Sequence, residues 1–289
     1  MKPLKVGYLG PEGTFCEEAG GKYILKLEKS SQLVPYSTLH DLLQAANKGI
    51  VSEAVAPIEN SIEGTINIVS DALAKEVNLK IRQEIILPIS HNLIAPIGTK
   101  LTTVTHIISH PQAIDQCKDF LKKYLPQAQI HFAFSTADAV KQVAESVAEK
   151  IEVSSHGKKV FAAIGTSQAA RLYGLSIIKA NINPKDNQTR FVVLAKTDHT
   201  PTGKDKTSIV LAAQKDQPGS LHAILGEFSK RKINLTKIES RPAKKILGEY
   251  LFFIDFAKHR KDKEAKAALD AIQKLSSFFK LLGSYPRYS

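Results

Sequence analysis

A hydroxyl and a guanidinium stand side by side at the start of a strongly apolar segment, NQTRFVVL at 187–194. Thr189 and Arg190 precede the run FVVL, which has the composition of a buried strand. A hydroxyl can donate a hydrogen bond, and a guanidinium can bind a carboxylate with two parallel hydrogen bonds. Donors fixed at the end of a rigid strand suit a reaction that needs little reorganisation of the site. The same two residues also suit an ordinary polar strand end with a surface arginine.

Polar segments follow four strand-like segments in the first half of the chain. KVGYLG (5–10) leads into GPEGT, AVAPIEN (54–60) leads into SIEG, HIIS (106–109) leads into HPQ, and FAAIGT (161–166) leads into SQAARLYG. After HPQ, the apolar residues of AIDQCKDFLKKYL (113–125) have the spacing of a helix. Strands that alternate with helices predict a mainly parallel sheet. Ligands of such sheets bind at the carboxyl ends of the strands, where these polar residues lie.

The segment GPEGT at 10–14 has features of an anion site. Its two glycines allow close backbone approach, and the helix that follows presents free N–H groups. The segment lacks a phosphate-binding signature. Thr14 is the side chain that we expect to contact a carboxylate. Cys16 and Cys117 are expected to be packed thiols and not nucleophiles.

The charge and the hydropathy of the chain indicate which classes of partner it does not bind. The net charge of +12 divides into +8 over residues 198–289 and +4 over 1–197, and no nucleic-acid recognition motif accompanies it. No apolar run approaches the roughly 18 residues that a membrane span requires. The N-terminal MKPLKVGYLG lacks the pattern of a signal peptide, and two distant cysteines do not suggest a disulfide framework. We therefore expect a cytoplasmic protein that binds neither nucleic acid nor membrane.

The pattern changes after the polar segment DHTPTGKDKT at 198–207, which has the composition of a linker. The following residues predict a β-α-β-β-α-β order, with Ser220 as the N-cap of the first helix. The six predicted elements are 207–214, 219–232, 234–242, 249–257, 263–276 and 278–285. Such an order favours a separate α+β domain of about 80 residues.

Taken together, these motifs resemble the prephenate dehydratase family, in its monofunctional form with a C-terminal ACT domain. The resemblance covers nearly the whole chain and rests on GPEGTF (10–15), PIENSIEG (57–64), SHPQAIDQC (109–117), NQTRF (187–191), QPGSL (217–221) and IESRP (238–242). It implies an α/β fold class, with a two-lobed, type II periplasmic-binding-protein-like catalytic domain and an α+β, ferredoxin-like ACT domain.

The resemblance also implies domain boundaries. The catalytic domain is expected at 1–198, with lobe 1 at about 1–88 and 187–198 and lobe 2 at about 89–186. The chain is expected to cross between the lobes near LPISHNL (87–93) and NINPKDNQ (181–188). The ACT domain is expected at 205–286.

The family's reaction converts prephenate to phenylpyruvate, water and carbon dioxide. Aromatisation supplies much of the driving force, so the reaction requires no cofactor and no metal. It requires a donor for the poor leaving group and an oriented dianion. The resemblance implies catalytic roles for Thr189, Asn60, Ser109, Gln116 and Arg190.

A second set of residues is expected to contact the substrate: Thr14, Glu59, Ser61 and Gly64. A carboxylate near a dianion repels it unless it is protonated or paired, so Glu59 alternatively organises Arg190. Ser61 and Gly64 alternatively have a purely structural role in a turn.

The resemblance further implies that phenylalanine binds between two paired ACT domains and inhibits the enzyme. The residues expected there are Gly219, Ser220, Leu221, Glu239 and Ser240. Paired ACT domains require a homodimer or a homotetramer. Two alternatives remain: an arogenate dehydratase, and a non-catalytic small-molecule binding protein on the same fold.

Overall fold

The computed structural model describes residues 3–27, 29–148, 159–215, 217–243 and 250–288. Glu249, the first residue of the strand predicted at 249–257, lies outside the described residues. The strands are β1 (Leu4–Leu9), β2 (Ser31–Tyr36), β3 (Glu53–Asn60), β4 (Gly64–Thr65), β5 (Lys80–Pro88), β6 (Asn92–Ala95), β7 (His106–Ser109), β8 (Gln129–Phe132), β9 (Phe161–Gly165), β10 (Ser176–Lys179), β11 (Gln188–Ala195), β12 (Asp205–Ala213), β13 (Leu235–Pro242), β14 (Tyr250–Ala257) and β15 (Ser276–Pro286).

Helices follow most of these strands. They are α1 (Phe15–Ile24), α2 (Leu39–Asn47), α3 (Asn67–Lys75), α4 (Pro111–Gln116), α5 (Lys118–Tyr124), α6 (Thr136–Ala148), α7 (Ser167–Leu172), α8 (Ser220–Ser229) and α9 (Lys263–Lys274). A short 3-10 helix covers Leu101–Thr103. Within the described ranges, no helix is both long enough and apolar enough to cross a membrane.

The strands form three sheets. The first has the order β2-β1-β3-β11-β5, with β4 paired to β3, and its β1 and β2 are parallel. The second has the order β10-β6-β9-β7-β8, in which β7 is parallel to both of its neighbours and β6 is antiparallel to both of its own. The third has the order β13-β14-β12-β15 and is antiparallel throughout.

The chain divides into two compact units. The first consists of Met1–Leu42, Glu59–Thr65 and Ile86–Phe191. The second consists of Leu43–Ile58, Ile66–Ile85 and Val192–Ser289.

In the first unit, helices cover both faces of the second sheet. Leu93, Ile107 and Ile164 belong to one buried cluster, and Ile94 and Ile108 belong to another. Because successive residues of a strand point to opposite faces, the two clusters are the two sides of the sheet. Helices α4 and α5 complete the first cluster, and α6 and α7 complete the second. The continuous apolar strands of the sequence follow from this double burial.

The second unit contains the predicted β-α-β-β-α-β order, as β12, α8, β13, β14, α9 and β15. One face of the four-stranded sheet packs against α8 and α9 through Ile209, Ile254, Phe228 and Ile272. The predicted helix cap is wrong in one detail. Gly219 occupies the N-cap of α8 with φ 89°, and Ser220 is the first helical residue. Glycine adopts this left-handed conformation without the steric cost that a serine would carry.

A second detail of the sequence prediction is also wrong. The helical pattern at 113–125 is interrupted at Cys117, whose φ of −101° and ψ of 5° separate α4 from α5. Ala113, Cys117, Leu121 and Leu125 nevertheless share one buried cluster. Their spacing of four is retained across the break, so apolar periodicity alone could not reveal it.

Candidate active site

Thr189 and Asn60 meet at the ends of two neighbouring strands, β11 and β3. Asn60 Nδ2 lies 2.9 Å from Thr189 Oγ1, and both residues are buried. Asn60 Oδ1 accepts hydrogen bonds from the backbone N–H groups of Ile62 (2.9 Å) and Glu63 (3.0 Å), which fixes the orientation of the amide. An amide nitrogen is only a donor. Thr189 Oγ1 is therefore the acceptor of this bond, and its own proton is directed to another acceptor.

Asn187 and Gln116 extend the network away from Thr189. Asn187 Oδ1 accepts from Asn60 Nδ2 at 2.8 Å, and Asn187 Nδ2 donates to Gln116 Oε1 at 2.8 Å. Gln116, at the end of α4, donates from Nε2 to Glu63 Oε1 at 3.2 Å. The network thus joins the start of β11, the end of β3 and the end of α4. Asn187 is buried, and an unpaired amide at such a position would cost free energy.

His91 is the last member of the network. Its Nε2 lies 3.1 Å from Gln116 Oε1, and its ring meets the Phe15 ring edge-on at a centroid distance of 5.6 Å. Burial lowers the pKa of His91 to about 4, partly opposed by the hydrogen bond with Gln116. The imidazole is accordingly neutral near pH 7.

Asn187, His91 and Glu63 are the members of this network that were not predicted as site residues from the sequence. Asn187 is the first residue of the quoted motif NQTRF, so its place in the motif was an available signal. His91 lies within LPISHNL, which the sequence analysis treated only as a crossing between lobes. Its role depends on a contact with a residue 25 positions away, which a linear pattern does not show.

Glu59 and Arg190 form an ion pair between β3 and β11. Arg190 Nη1 lies 3.3 Å from Glu59 Oε2, and the two side chains are 11% and 36% exposed. The guanidinium offsets the charge of the carboxylate, so Glu59 can lie near an anionic ligand at a smaller electrostatic cost. This geometry supports the alternative in which Glu59 organises Arg190, and a direct substrate contact remains a prediction.

Ser61 and Gly64 form the turn that follows Asn60. Ser61 Oγ donates to Asp186 O at 2.9 Å and accepts from Gln188 N at 2.9 Å. Gly64 has φ 83° and pairs with Asn60 between β3 and β4. These contacts position Asn60 against the start of β11. Both hydrogen bonds of the Ser61 hydroxyl are to backbone groups of the protein, and a substrate contact by Ser61 or Gly64 remains a prediction.

Thr14 caps helix α1. Its Oγ1 donates to Leu9 O at 3.2 Å and accepts from Glu17 N at 3.3 Å. Glu17 Oε2 accepts from Gly13 N at 2.6 Å, and Thr166 Oγ1 donates to Gly13 O at 2.5 Å. Side chains therefore bind both the N–H and the carbonyl group of Gly13, which fixes the GPEGT loop. The Thr14 hydroxyl already has a structural function, and its contact with a carboxylate remains a prediction.

Ser109 and the two cysteines are buried apart from solvent. Ser109, at the end of β7, donates from Oγ to Ile164 O at 2.7 Å, and its catalytic role remains a prediction. Burial raises the pKa of both Cys16 and Cys117 to about 12, so both are protonated thiols. A protonated thiol is a poor nucleophile, which agrees with the packing role expected for each.

The five expected regulatory residues lie on two elements of the second unit. Gly219, Ser220 and Leu221 are at the N-terminus of α8. Glu239 and Ser240 lie on β13, the edge strand of its sheet, and Glu239 Oε2 lies 3.2 Å from Lys237 Nζ. Their contact with phenylalanine remains a prediction.

Comparison with known proteins identifies the family. The family profile described as prephenate dehydratase matches residues 6–199, and the profile described as ACT domain matches 207–273. The chain belongs to the prephenate dehydratase family. A prephenate dehydratase of Lactococcus lactis subsp. cremoris (strain MG1363) is 37% identical over 291 residues, which covers 99% of both chains. A prephenate dehydratase of Methanocaldococcus jannaschii is 38% identical over 284 residues, covering 96% of this chain and 97% of the relative.

A solved structure of a family member has the same fold. The prephenate dehydratase of Arthrobacter aurescens, in complex with L-Phe, superposes with a TM-score of 0.84 at 32% identity, covering 98% of this chain and 90% of that chain. The predicted fold class is confirmed: a two-lobed, periplasmic-binding-protein-like domain is followed by an ACT domain. The family's members are lyases, so the chain is an enzyme, and the comparisons do not favour the arogenate alternative.

Proposed function

We propose that this chain converts prephenate to phenylpyruvate, water and carbon dioxide with Thr189 as the hydrogen-bond donor to the departing hydroxyl. The observation that carries this role is the contact between Asn60 Nδ2 and Thr189 Oγ1 at 2.9 Å. Because the amide occupies a lone pair of the threonine oxygen, the O–H bond of Thr189 points to a different acceptor. The ring hydroxyl of prephenate is such an acceptor.

The reaction requires no base, because no proton is removed from carbon. The bond between the ring and its carboxylate breaks, and its electron pair enters the ring. The ring becomes aromatic as the C–O bond on the opposite carbon breaks. The hydroxide that departs is stabilised by the Thr189 hydroxyl and leaves as water once a solvent proton is transferred. Arg190, paired with Glu59, contributes positive potential at the same strand end.

The remaining expected roles are part of the same proposal. Gln116, Ser109 and Thr14 orient the substrate, and the catalytic domain covers 1–198 with the ACT domain at 205–286. The profile matches at 6–199 and 207–273 support these boundaries.

Regulation by phenylalanine also belongs to the proposal. The L-Phe complex of the Arthrobacter aurescens relative supports it, and the residues proposed to bind phenylalanine are Gly219, Ser220, Leu221, Glu239 and Ser240. We further propose a cytoplasmic homo-oligomer. Two free, buried cysteines support a reducing compartment.

The direct test is an assay of the purified protein with prephenate, in which phenylpyruvate is followed by its absorbance. We expect turnover of prephenate well above its spontaneous decay, no comparable turnover of arogenate, and suppression by L-phenylalanine. A metal chelator is expected to leave the rate unchanged. A folded protein that leaves prephenate at its spontaneous rate of decay would refute the proposed function.

A further inference from the structure

His91 is a buried polar residue that the mechanism above does not use. It is 5% exposed, and its backbone is fixed by two hydrogen bonds, from His91 N to Asn183 Oδ1 at 2.6 Å and from Ile182 N to His91 O at 2.9 Å. Its ring makes one polar contact through Nε2, to Gln116 Oε1. Its other nitrogen, Nδ1, is buried and has no hydrogen-bond partner among the described residues.

This arrangement is costly for a residue whose only task is packing. A buried polar atom without a partner costs free energy, because it has lost its hydrogen bonds to water. A phenylalanine at the same position would retain the edge-on contact with Phe15 and would remove that cost. The unpartnered Nδ1 is therefore a cost that packing does not explain, and such costs are common at residues that serve a function.

The donor and acceptor directions in the network determine the role of the His91 ring. Asn60 is oriented by two backbone N–H groups, so Asn60 Nδ2 donates to Asn187 Oδ1. Asn187 Nδ2 then faces Gln116, whose facing atom must be the acceptor Oε1. His91 faces the same oxygen and must donate to it, so its proton is on Nε2.

We propose that His91 is a positioning residue for the dehydration: its Nε2–H holds Gln116 with the amide oxygen inward and the amide NH₂ toward the substrate side of the network. The proposal rests on the proposed function of the chain. Gln116 Nε2 uses one hydrogen for Glu63 Oε1, which leaves its second hydrogen for the substrate. Burial keeps the pKa of His91 low and the ring neutral, as a single-donor role requires.

Removal of the donor alone tests the proposal. H91F retains an aromatic ring and loses the N–H, so Gln116 Oε1 loses one of its two donors. We expect kcat for prephenate to fall about 10- to 100-fold, because small misplacements of positioning groups have effects of this size. We expect KM to change less than about 3-fold, and the melting temperature to be equal to or higher than that of the native chain.

A conservative variant and a matched control complete the experiment. H91Q places an amide N–H near the position of Nε2, so it is expected to recover most of the kcat lost in H91F. H106F makes the same substitution at another buried histidine, which is 7% exposed. His106 contacts Thr105, His131 and Phe161, none of which belongs to the network. H106F is expected to leave kcat unchanged. If H91F yields no folded protein, H91M replaces it.

The outcomes separate this proposal from the proposed function. A native chain without prephenate turnover would refute the function itself. With native turnover present, an H91F kcat within about 2-fold of native would refute the positioning role. A fall in kcat that parallels a fall in melting temperature, without recovery in H91Q, would also refute it, because that result describes a structural residue.

Discussion

At the scale of single residues, the donor role of Thr189 depends on the amide of Asn60. Asn60 Nδ2 has two hydrogens, and it faces Thr189 Oγ1, Asn187 Oδ1 and the carbonyl oxygen of Gln188 at 2.8–3.1 Å. All three neighbours are oxygens, so the atom at this position must be a donor. A carboxylate oxygen in its place would instead accept the Thr189 proton.

Replacement of that donor makes the first prediction. Asn60→Asp keeps the shape of the side chain, but Thr189 then donates to the new carboxylate and not to the substrate. We expect kcat to fall about 100-fold or more, measured by steady-state phenylpyruvate formation. Asn92→Asp is the control, because Asn92 is equally buried and donates to Ser167 Oγ at 3.2 Å, outside the network. Equal kcat losses in the two variants would contradict the role of Asn60.

The limits of the sequence are clear at this scale. Asn60, Gln116 and Thr189 lie in the motifs that carry the family resemblance, and the structure brings all three into one network. Asn187 and His91 join them only through contacts between distant positions. Asn187 could have been singled out by its place in the motif NQTRF. His91 lies in no quoted motif of the resemblance, and its contact with Gln116 leaves no periodic pattern in the sequence.

At the scale of elements, helix α3 receives several contacts from residues near the end of the chain. Arg241 Nη2 lies 3.1 Å from Asp71 Oδ1, and its Nη1 donates to Asn67 O at 3.4 Å. Lys280 Nζ donates to Val77 O at 2.8 Å, just beyond the C-terminus of the helix. A cation near C-terminal carbonyls stabilises a helix through its dipole. Helix α3 also begins shortly after the turn that carries Asn60 and Gly64.

The Arg241–Asp71 pair gives a prediction about regulation. Arg241 follows Glu239 and Ser240 on β13, so we expect phenylalanine binding at these residues to be coupled to α3 through this pair. Asp71→Asn is expected to leave kcat unchanged. It is expected to raise the phenylalanine concentration for half-inhibition at least about 5-fold, which is the lower end of the range of affinity changes that allosteric coupling typically produces. The measurement is a phenylalanine titration of the prephenate assay.

A matched control distinguishes this coupling from a general effect of charge. Glu145→Gln removes an exposed ion pair with Lys141, at 3.6 Å on α6, and is expected to leave inhibition as it is in the native chain. Asp71→Asn with native half-inhibition would contradict the coupling through α3.

Element order was predicted well by the sequence, and element ends were not. The β-α-β-β-α-β order of the C-terminal part is confirmed, because alternating strands and a helical period leave strong patterns. The cap at Gly219 and the break at Cys117 are local backbone conformations, at φ 89° and φ −101°, that do not alter the apolar spacing.

The close contact of Gly283 with strand β5 could not be predicted from the sequence either. A Cβ on Gly283, in β15, would lie 2.3 Å from the carbonyl oxygen of Ile81 in β5. Only a glycine allows this approach of two backbones, and its φ of 143° also disfavours a side chain. The sequence contains a glycine in the run LLGSY but no indication of which strand lies against it.

At the scale of the whole molecule, the family and the fold class could be predicted from the sequence because the motifs occur in family order. The choice between a homodimer and a homotetramer could not be predicted, because it depends on surfaces and not on motifs. β13 lies at an edge of its sheet, where backbone groups are available for pairing with a second copy.

The assembly makes the next prediction. We expect sedimentation velocity to give a mass of at least twice the 31.7 kDa of the chain, because the proposed phenylalanine site lies between two paired ACT domains. Addition of L-phenylalanine is expected to stabilise the assembly and raise its melting temperature, since the ligand binds only the folded state. A monomer of 31.7 kDa that is still inhibited by phenylalanine would contradict the paired-domain account.

The steady-state kinetics of Thr189→Val measure the donor role most directly. Valine retains the β-branched shape of a buried strand residue and replaces the hydroxyl with a methyl group, while Asn60 Nδ2 keeps its other acceptors, Asn187 Oδ1 and Gln188 O. We expect kcat for prephenate to fall about 10²- to 10³-fold, as for the loss of one donor to a developing negative charge, with KM within about 3-fold of native. Thr189→Ser is expected to retain most of the native kcat. A folded Thr189→Val enzyme with near-native kcat would show that the leaving hydroxyl departs without this donor.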